Sequence, residues 1–141
     1  MTDMKTIKQI SIFLENKKGS LDKILSVLSN QNIELQAASV ADTKEYGLLR
    51  LITSNQTKAH QLLNDNGFLV NMNEVLAVTI PGDIASFASV VSSLTANDVT
   101  INYLYTFSKD GKLVLILRTD DMEKAGSVIE SCGLELIQGW E

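Results

Sequence analysis

The chain has 141 residues, 45% of them hydrophobic and 21% charged, the size and make-up of one globular domain or of two very small ones sharing a core. Its formal net charge of −5 opposes contact with phosphate backbones, so nucleic acid is not an expected partner. No apolar run approaches the roughly 18 residues of a membrane span, and the opening MTDMKTIKQI lacks an apolar signal core, so the expected location is the cytoplasm, away from membranes.

The first predicted element is a strand at 7–14 (IKQISIFL), whose apolar residues alternate towards its end. The turn ENKKGS follows, with Ser20 expected to cap a helix that buries Leu21, Ile24, Leu25 and Leu28, the three-and-four spacing of one face. Strands are predicted at 33–40 (IELQAASV) and 47–53 (GLLRLIT), joined by the polar turn DTKEY. A second amphipathic helix, QTKAHQLLNDN, stops at Gly67, a left-handed cap position, and a short strand at 68–71 (FLVN) closes the unit.

The same unit then recurs. Slid along itself so that Ser20 falls on Ser86, the chain also matches Leu28 to Leu94, Thr53 to Thr119, Lys58-Ala59 to Lys124-Ala125 and Gly67 to Gly133, without a gap. Apolar positions follow suit, with Ile10 and Ile12 on Leu76 and Val78 and Leu62-Leu63 on Val128-Ile129. The expected fold is therefore α+β, a ferredoxin-like βαββαβ sandwich in two tandem copies, residues 1–72 and 73–141. One sheet face in each copy is left for the other half or another chain to cover. The link at about 71–74 reaches only on the order of 13 Å, so joining the two sheets would require long terminal strands, strand exchange or pairing between chains.

Cys132 and His60 are the only cysteine and histidine, which leaves no intrachain disulfide and no thiolate metal cluster. Cys132 is expected as a small residue in or beside the core at a helix end, and His60 on the polar side of its helix. No nucleophile–base pair, metal spacing or phosphate-binding motif appears, so neither an enzyme nor a cofactor is expected. Tyr103, Tyr105 and Phe107 alternate on one strand face, a pattern of sheet packing or subunit contact.

The stretch NKKGSL after the first strand, with Asn32-Ile33 opening the next, resembles the ACT domain, a small-molecule regulatory module. The second copy, through PGDIASF, NDVTINYLYTF and RTDDMEKA, is similar to the second half of tandem ACT proteins. The resemblance implies a regulatory protein that binds a free amino acid where two modules meet and acts by a conformational or assembly change. Its partners would be that amino acid, a second copy of the chain in a homo-oligomer, here a dimer, and a regulated enzyme or regulator. The implied site is the first loop, Asn16, Lys17, Lys18, Gly19, Ser20 and Leu21, with Asn32 and Ile33 and, from the second copy, Asp98, Val99 and Thr100. A free helix N-terminus suits the ligand carboxylate, Gly19 permits close approach, and Asn16, Asn32 and Asp98 are acceptors for its ammonium. Lys18 stands where the family often has proline, and Ala85 replaces the loop glycine in the second copy, so the first loop is the expected principal site. Two other readings start from the same fold: an interaction module without a ligand, in which the loop only starts a helix, and a tandem RNA-binding pair. The acidic charge and the absence of aromatics from GLLRLIT and KLVLILR oppose the RNA-binding pair.

Overall fold

A computed structural model of the chain describes residues 5–15, 17–42 and 45–138. The elements in order are β1 (Ile7–Glu15), α1 (Ser20–Ser29), β2 (Leu35–Asp42), β3 (Tyr46–Thr53), α2 (Gln56–Asp65), β4 (Val70–Pro81), α3 (Ile84–Ala96), β5 (Ile101–Lys109), β6 (Lys112–Thr119) and α4 (Met122–Ser131). The repeat holds in three dimensions: β6 and α4 begin and end at the repeat counterparts of β3 and α2. The described residues form two compact units, those between Lys8 and Asn73 and those from Glu74 to Gln138 together with residues 5–7.

In the first unit the strands lie in the order β2, β3, β1 and the start of β4. β1 pairs antiparallel with β3, placing Ile10 opposite Leu51 and Ile12 opposite Leu49. These side chains point to the helices and form the core with Ile24 and Leu28 of α1 and Ala59 and Leu63 of α2. Burying each such aliphatic side chain is worth about 1.5–3 kcal/mol. Gln56 fastens α2 to this sheet: its fully buried amide oxygen accepts from Thr53 N (2.8 Å) and Oγ1 (2.6 Å), and its nitrogen donates to the carbonyls of Lys8 and Leu51 (2.9 Å each). On the opposite sheet face the Gln9 amide donates to Ser11 Oγ (3.2 Å) and Asn73 Oδ1 (3.4 Å), so its buried polar group is satisfied.

In the second unit the rest of β4, β6 and β5 lie side by side, with Leu76, Val78 and Ile80 packed against Val90, Leu94, Ala125 and Ile129. Met122 occupies the counterpart of Gln56 but only accepts weakly, at 3.5 Å, from Thr119 N.

Several boundaries differ from the sequence expectation. The end of the short strand expected at 68–71, the link at 71–74 and the following strand are one element, β4, which starts at Val70 and has no glycine or proline before Pro81. The second copy's closing strand is reduced to a bridge between Val78 and Leu136, with Ile137 N donating to the Ala77 carbonyl at 2.8 Å. α1 buries only Ile24 and Leu28, while Leu21 and Leu25 remain 36% and 44% exposed, because the helix presents a narrow stripe to the sheet. Cys132 is exposed, its thiol 3.4 Å from Ser93 Oγ, because it caps the end of α4 beyond the packed turns. His60 is half-buried.

Candidate functional site

Helix starts differ between the copies in a way that bears on anion binding. A first helical turn leaves N–H groups without intrahelical partners. At α2, Asn55 accepts from Lys58 N; at α3, Asp83 accepts from Ser86 N and Ser86 Oγ; at α4, Asp121 accepts from Lys124 N. α1 has no such cap: Gly19 holds the position with φ +91° and no side chain, so the expectation that Ser20 caps this helix is corrected. Ser20 is instead the first helical residue, its Oγ inaccessible to solvent and without a hydrogen-bond partner. The cap fails because the left-handed glycine turns the chain before Ser20, placing Ser20 inside the helix rather than ahead of it.

A pocket of about 460 Å³ opens at this start, lined by Phe13, Leu14 and Glu15 of β1, Lys17, Ser20, Lys23 and Ile24 around α1, Glu45 and Tyr46 before and in β3, and Gly67, Phe68 and Leu69 before β4. Gly67 shapes its rim: at φ +84° it ends α2, and Phe68 N returns to the Leu63 carbonyl at 3.1 Å. Lys17 Nζ lies 2.8 Å from Glu15 Oε2. The hydrogen bond from Lys17, then its charge and more weakly that of Lys23, hold the Glu15 carboxyl below its ordinary range. Phe13 and Tyr46 form an aromatic pair with centroids 5.3 Å apart. The pocket thus sets two lysines, two carboxylates and an uncapped helix end beside an apolar wall.

Of the predicted residues, Lys17 and Ser20 line this pocket, Gly19 sits at the helix start, and Asn16 lies outside the described residues. Lys18 and Leu21 are exposed beside it. Asn32 and Ile33 follow the far end of α1, about 15 Å away at 1.5 Å per residue. Asn32 (φ 55°) and its counterpart Asp98 (φ 57°) are both left-handed turn residues after a helix, and Ile33 and Val99 pack on the cores. Thr100 N donates to Asp120 Oδ1 at 3.0 Å. These five positions have a structural role in the turn that starts β2 and β5. Sequence reasoning did not bring in Phe13, Lys23, Glu45, Tyr46, Phe68 and Leu69, which also line this pocket and come from four separate segments with no common pattern.

The second unit has a smaller pocket, about 310 Å³, at the repeat-equivalent place, lined by Ile80, Pro81, Ala85, Ser86, Ser89, Val90, Cys132 and Leu134. Here Ser89 stands for Lys23, and Asp83, the counterpart of Lys17, already brings a carboxylate to the helix start. Hydrogen bonds from Ser86 hold that carboxylate below its ordinary range. Among the described residues no group of His, Cys, Asp and Glu is placed to hold a metal ion, and no helix is long and apolar enough to cross a membrane.

Comparison with known proteins places the chain in a family. The chain is similar to the crystal structure of protein BT0572 from Bacteroides thetaiotaomicron, with 34% identity and a TM-score of 0.89 over 96% of this chain and 94% of that one. It shares its fold with the ligand-free regulatory subunit of aspartate kinase from Thermus thermophilus, at 14% identity and a TM-score of 0.62 over 93% and 95% of the two chains. The corresponding subunit from Thermus flavus matches at 14% identity and a TM-score of 0.62 over 93% and 94%. No curated protein matches the chain. The model of the ACT domain pair matches residues 5–140, and the chain belongs to that family.

Proposed function

We propose that this protein is a cytoplasmic regulatory module that binds a free amino acid in the pocket at the start of α1 and signals by a change of conformation or assembly. The observation that carries the reading is the pairing of an uncapped helix start with Lys17, Lys23, Glu15 and Glu45 around one cavity. A zwitterion matches that set: its carboxylate takes the helix N–H groups and a lysine, and its ammonium takes Glu15 in place of Lys17. A lone anion would satisfy the lysines and meet two carboxylates. The shared fold with proteins described as regulatory subunits of aspartate kinase supports the regulatory part.

The listener is a separate enzyme or regulator, and the chain acts as a homo-oligomer. Exposed Leu25 of α1 and Leu35 and Val40 of the edge strand β2 offer an apolar surface for that assembly. The test is a thermal-shift screen of the full chain against the twenty amino acids, with nucleotides and an RNA oligomer alongside, followed by calorimetry. A ligand that binds only the folded state raises the melting temperature by mass action. Stabilisation by amino acids alone supports the proposal; no shift at millimolar concentration returns the loop to the role of a helix start and leaves the interaction module.

A further inference from the structure

We infer that the amino acid taken by this pocket carries a large apolar side chain, aliphatic or aromatic; the inference rests on the reading above and narrows it. The charges that suit a zwitterion stand beside an apolar wall made by Phe13, Tyr46, Phe68 and Leu69. Phe13, Tyr46 and Leu69 are 39%, 41% and 64% exposed, so the fold itself leaves them largely uncovered. Large apolar side chains left open in one cavity favour an apolar occupant.

The second copy shows that folding does not require this wall. At the same repeat positions it has Thr79 for Phe13, Lys112 for Tyr46 and Glu135 for Leu69, while Leu134 keeps the apolar character of Phe68. The strands that carry Tyr46 and Lys112 nevertheless match, with β6 starting at Lys112 as β3 starts at Tyr46. Residues kept in kind across the two pockets are those that build the fold: Leu14 and Ile80, Ile24 and Val90, Gly67 and Gly133. Phe13, Tyr46 and Leu69, three of the wall's four residues, are therefore a property of the first pocket and not of the module. A charged side chain on the ligand would have to desolvate against these rings, and a small one would leave them wet.

Calorimetry of the full chain with leucine, phenylalanine and methionine against alanine, serine, aspartate and lysine tests this. The large apolar group is expected to bind at least about tenfold more tightly than alanine, in line with the discrimination an apolar pocket achieves per methylene. Tyr46→Lys and Leu69→Glu, which install the second copy's residues at exposed positions, should cut that preference about tenfold while circular dichroism shows the fold intact. Equal or tighter binding of a polar or charged amino acid overturns this inference alone, as does unchanged selectivity in folded Tyr46→Lys and Leu69→Glu variants. Failure of every amino acid to bind removes the reading beneath it and the inference together.

Discussion

Gly19 separates the helix-start argument from a general effect on folding. Its φ of +91° lies where L side chains are disfavoured, yet a Cβ built there meets no atom within 4 Å. The cost of Gly19→Ala is therefore conformational, about 1–2 kcal/mol for a left-handed residue. In a unit of roughly 60–100 residues each kcal/mol lowers the melting temperature by about 4–8 °C. Gly19→Asp carries the same Cβ, in a residue type that tolerates the left-handed region better than alanine, and adds a carboxylate beside the positive helix end. Both variants should melt below the wild type, with the aspartate variant the less destabilised. They should part on ligand response: an amino acid at a hundredfold its Kd stabilises a folded protein by about 2.7 kcal/mol, and that gain should survive in Gly19→Ala and vanish in Gly19→Asp. Thermal unfolding with and without ligand reads both. Equal ligand-induced shifts in the two variants would refute the claim that the free helix end receives the carboxylate, and an unchanged melting temperature in Gly19→Ala would refute the strain argument.

Gln56→Ala strips partners from the Lys8 and Leu51 carbonyls and from Thr53 N, each worth about 1–3 kcal/mol when left buried and unpaired, so urea denaturation should show a loss of about 3 kcal/mol or more. Met122→Leu at the counterpart position should cost less than about 1.5 kcal/mol, since volume is kept and only weak sulfur acceptors are lost. Because Lys17 depresses the Glu15 pKa, the stability from this pair is present above the ordinary carboxylate range and is lost as pH falls through the lowered value. Lys17→Gln should move the Glu15 titration upward by NMR, and an unmoved Glu15 would show that the ion pair does not form in solution. Calorimetry should give one amino acid per chain, because Asp83 already fills the helix start of the second copy; two equivalent sites would show that it does not.

What the sequence made legible was whatever repeats locally. The order of elements, both αL glycines after α2 and α4, and the equivalence of the two copies follow from periodicity and turn chemistry confined to a few neighbouring residues. The fusion of two expected strands into β4 was not legible, because an unbroken strand and two strands with a polar link both read as MNE between apolar runs. The helix start was misread because Ser20 looks like a cap and becomes one only if its own backbone is extended, whereas it is the first helical residue and Gly19, at φ +91°, holds the cap position. Of the site, the loop was found and its walls were not. Phe13, Lys23, Tyr46 and Leu69 meet only after β1, α1, β3 and the turn before β4 are packed, and nothing in their spacing announces that meeting.

The duplicated chain also supplies an internal control for separating fold from function. Asn32 and Asp98, expected from the resemblance as ligand acceptors, adopt the same left-handed turn after equivalent helices, which is what a fold requirement predicts. Lys17 and Asp83 occupy equivalent positions with opposite charge, one paired with Glu15 and the other capping its own helix. The turns differ accordingly: α3 starts at Ile84 behind its extended cap Asp83, two repeat positions before the start of α1 at Ser20. A carboxylate supplied by the chain at one helix start and a lysine near an open helix start at the other are two solutions to one physical problem, the unsatisfied N–H groups of a first turn. In the second copy the chain solves it alone. In the first, the solution is left to water or to a molecule from outside, and the apolar wall beside it is what would make that molecule an amino acid with a large apolar side chain rather than any passing anion.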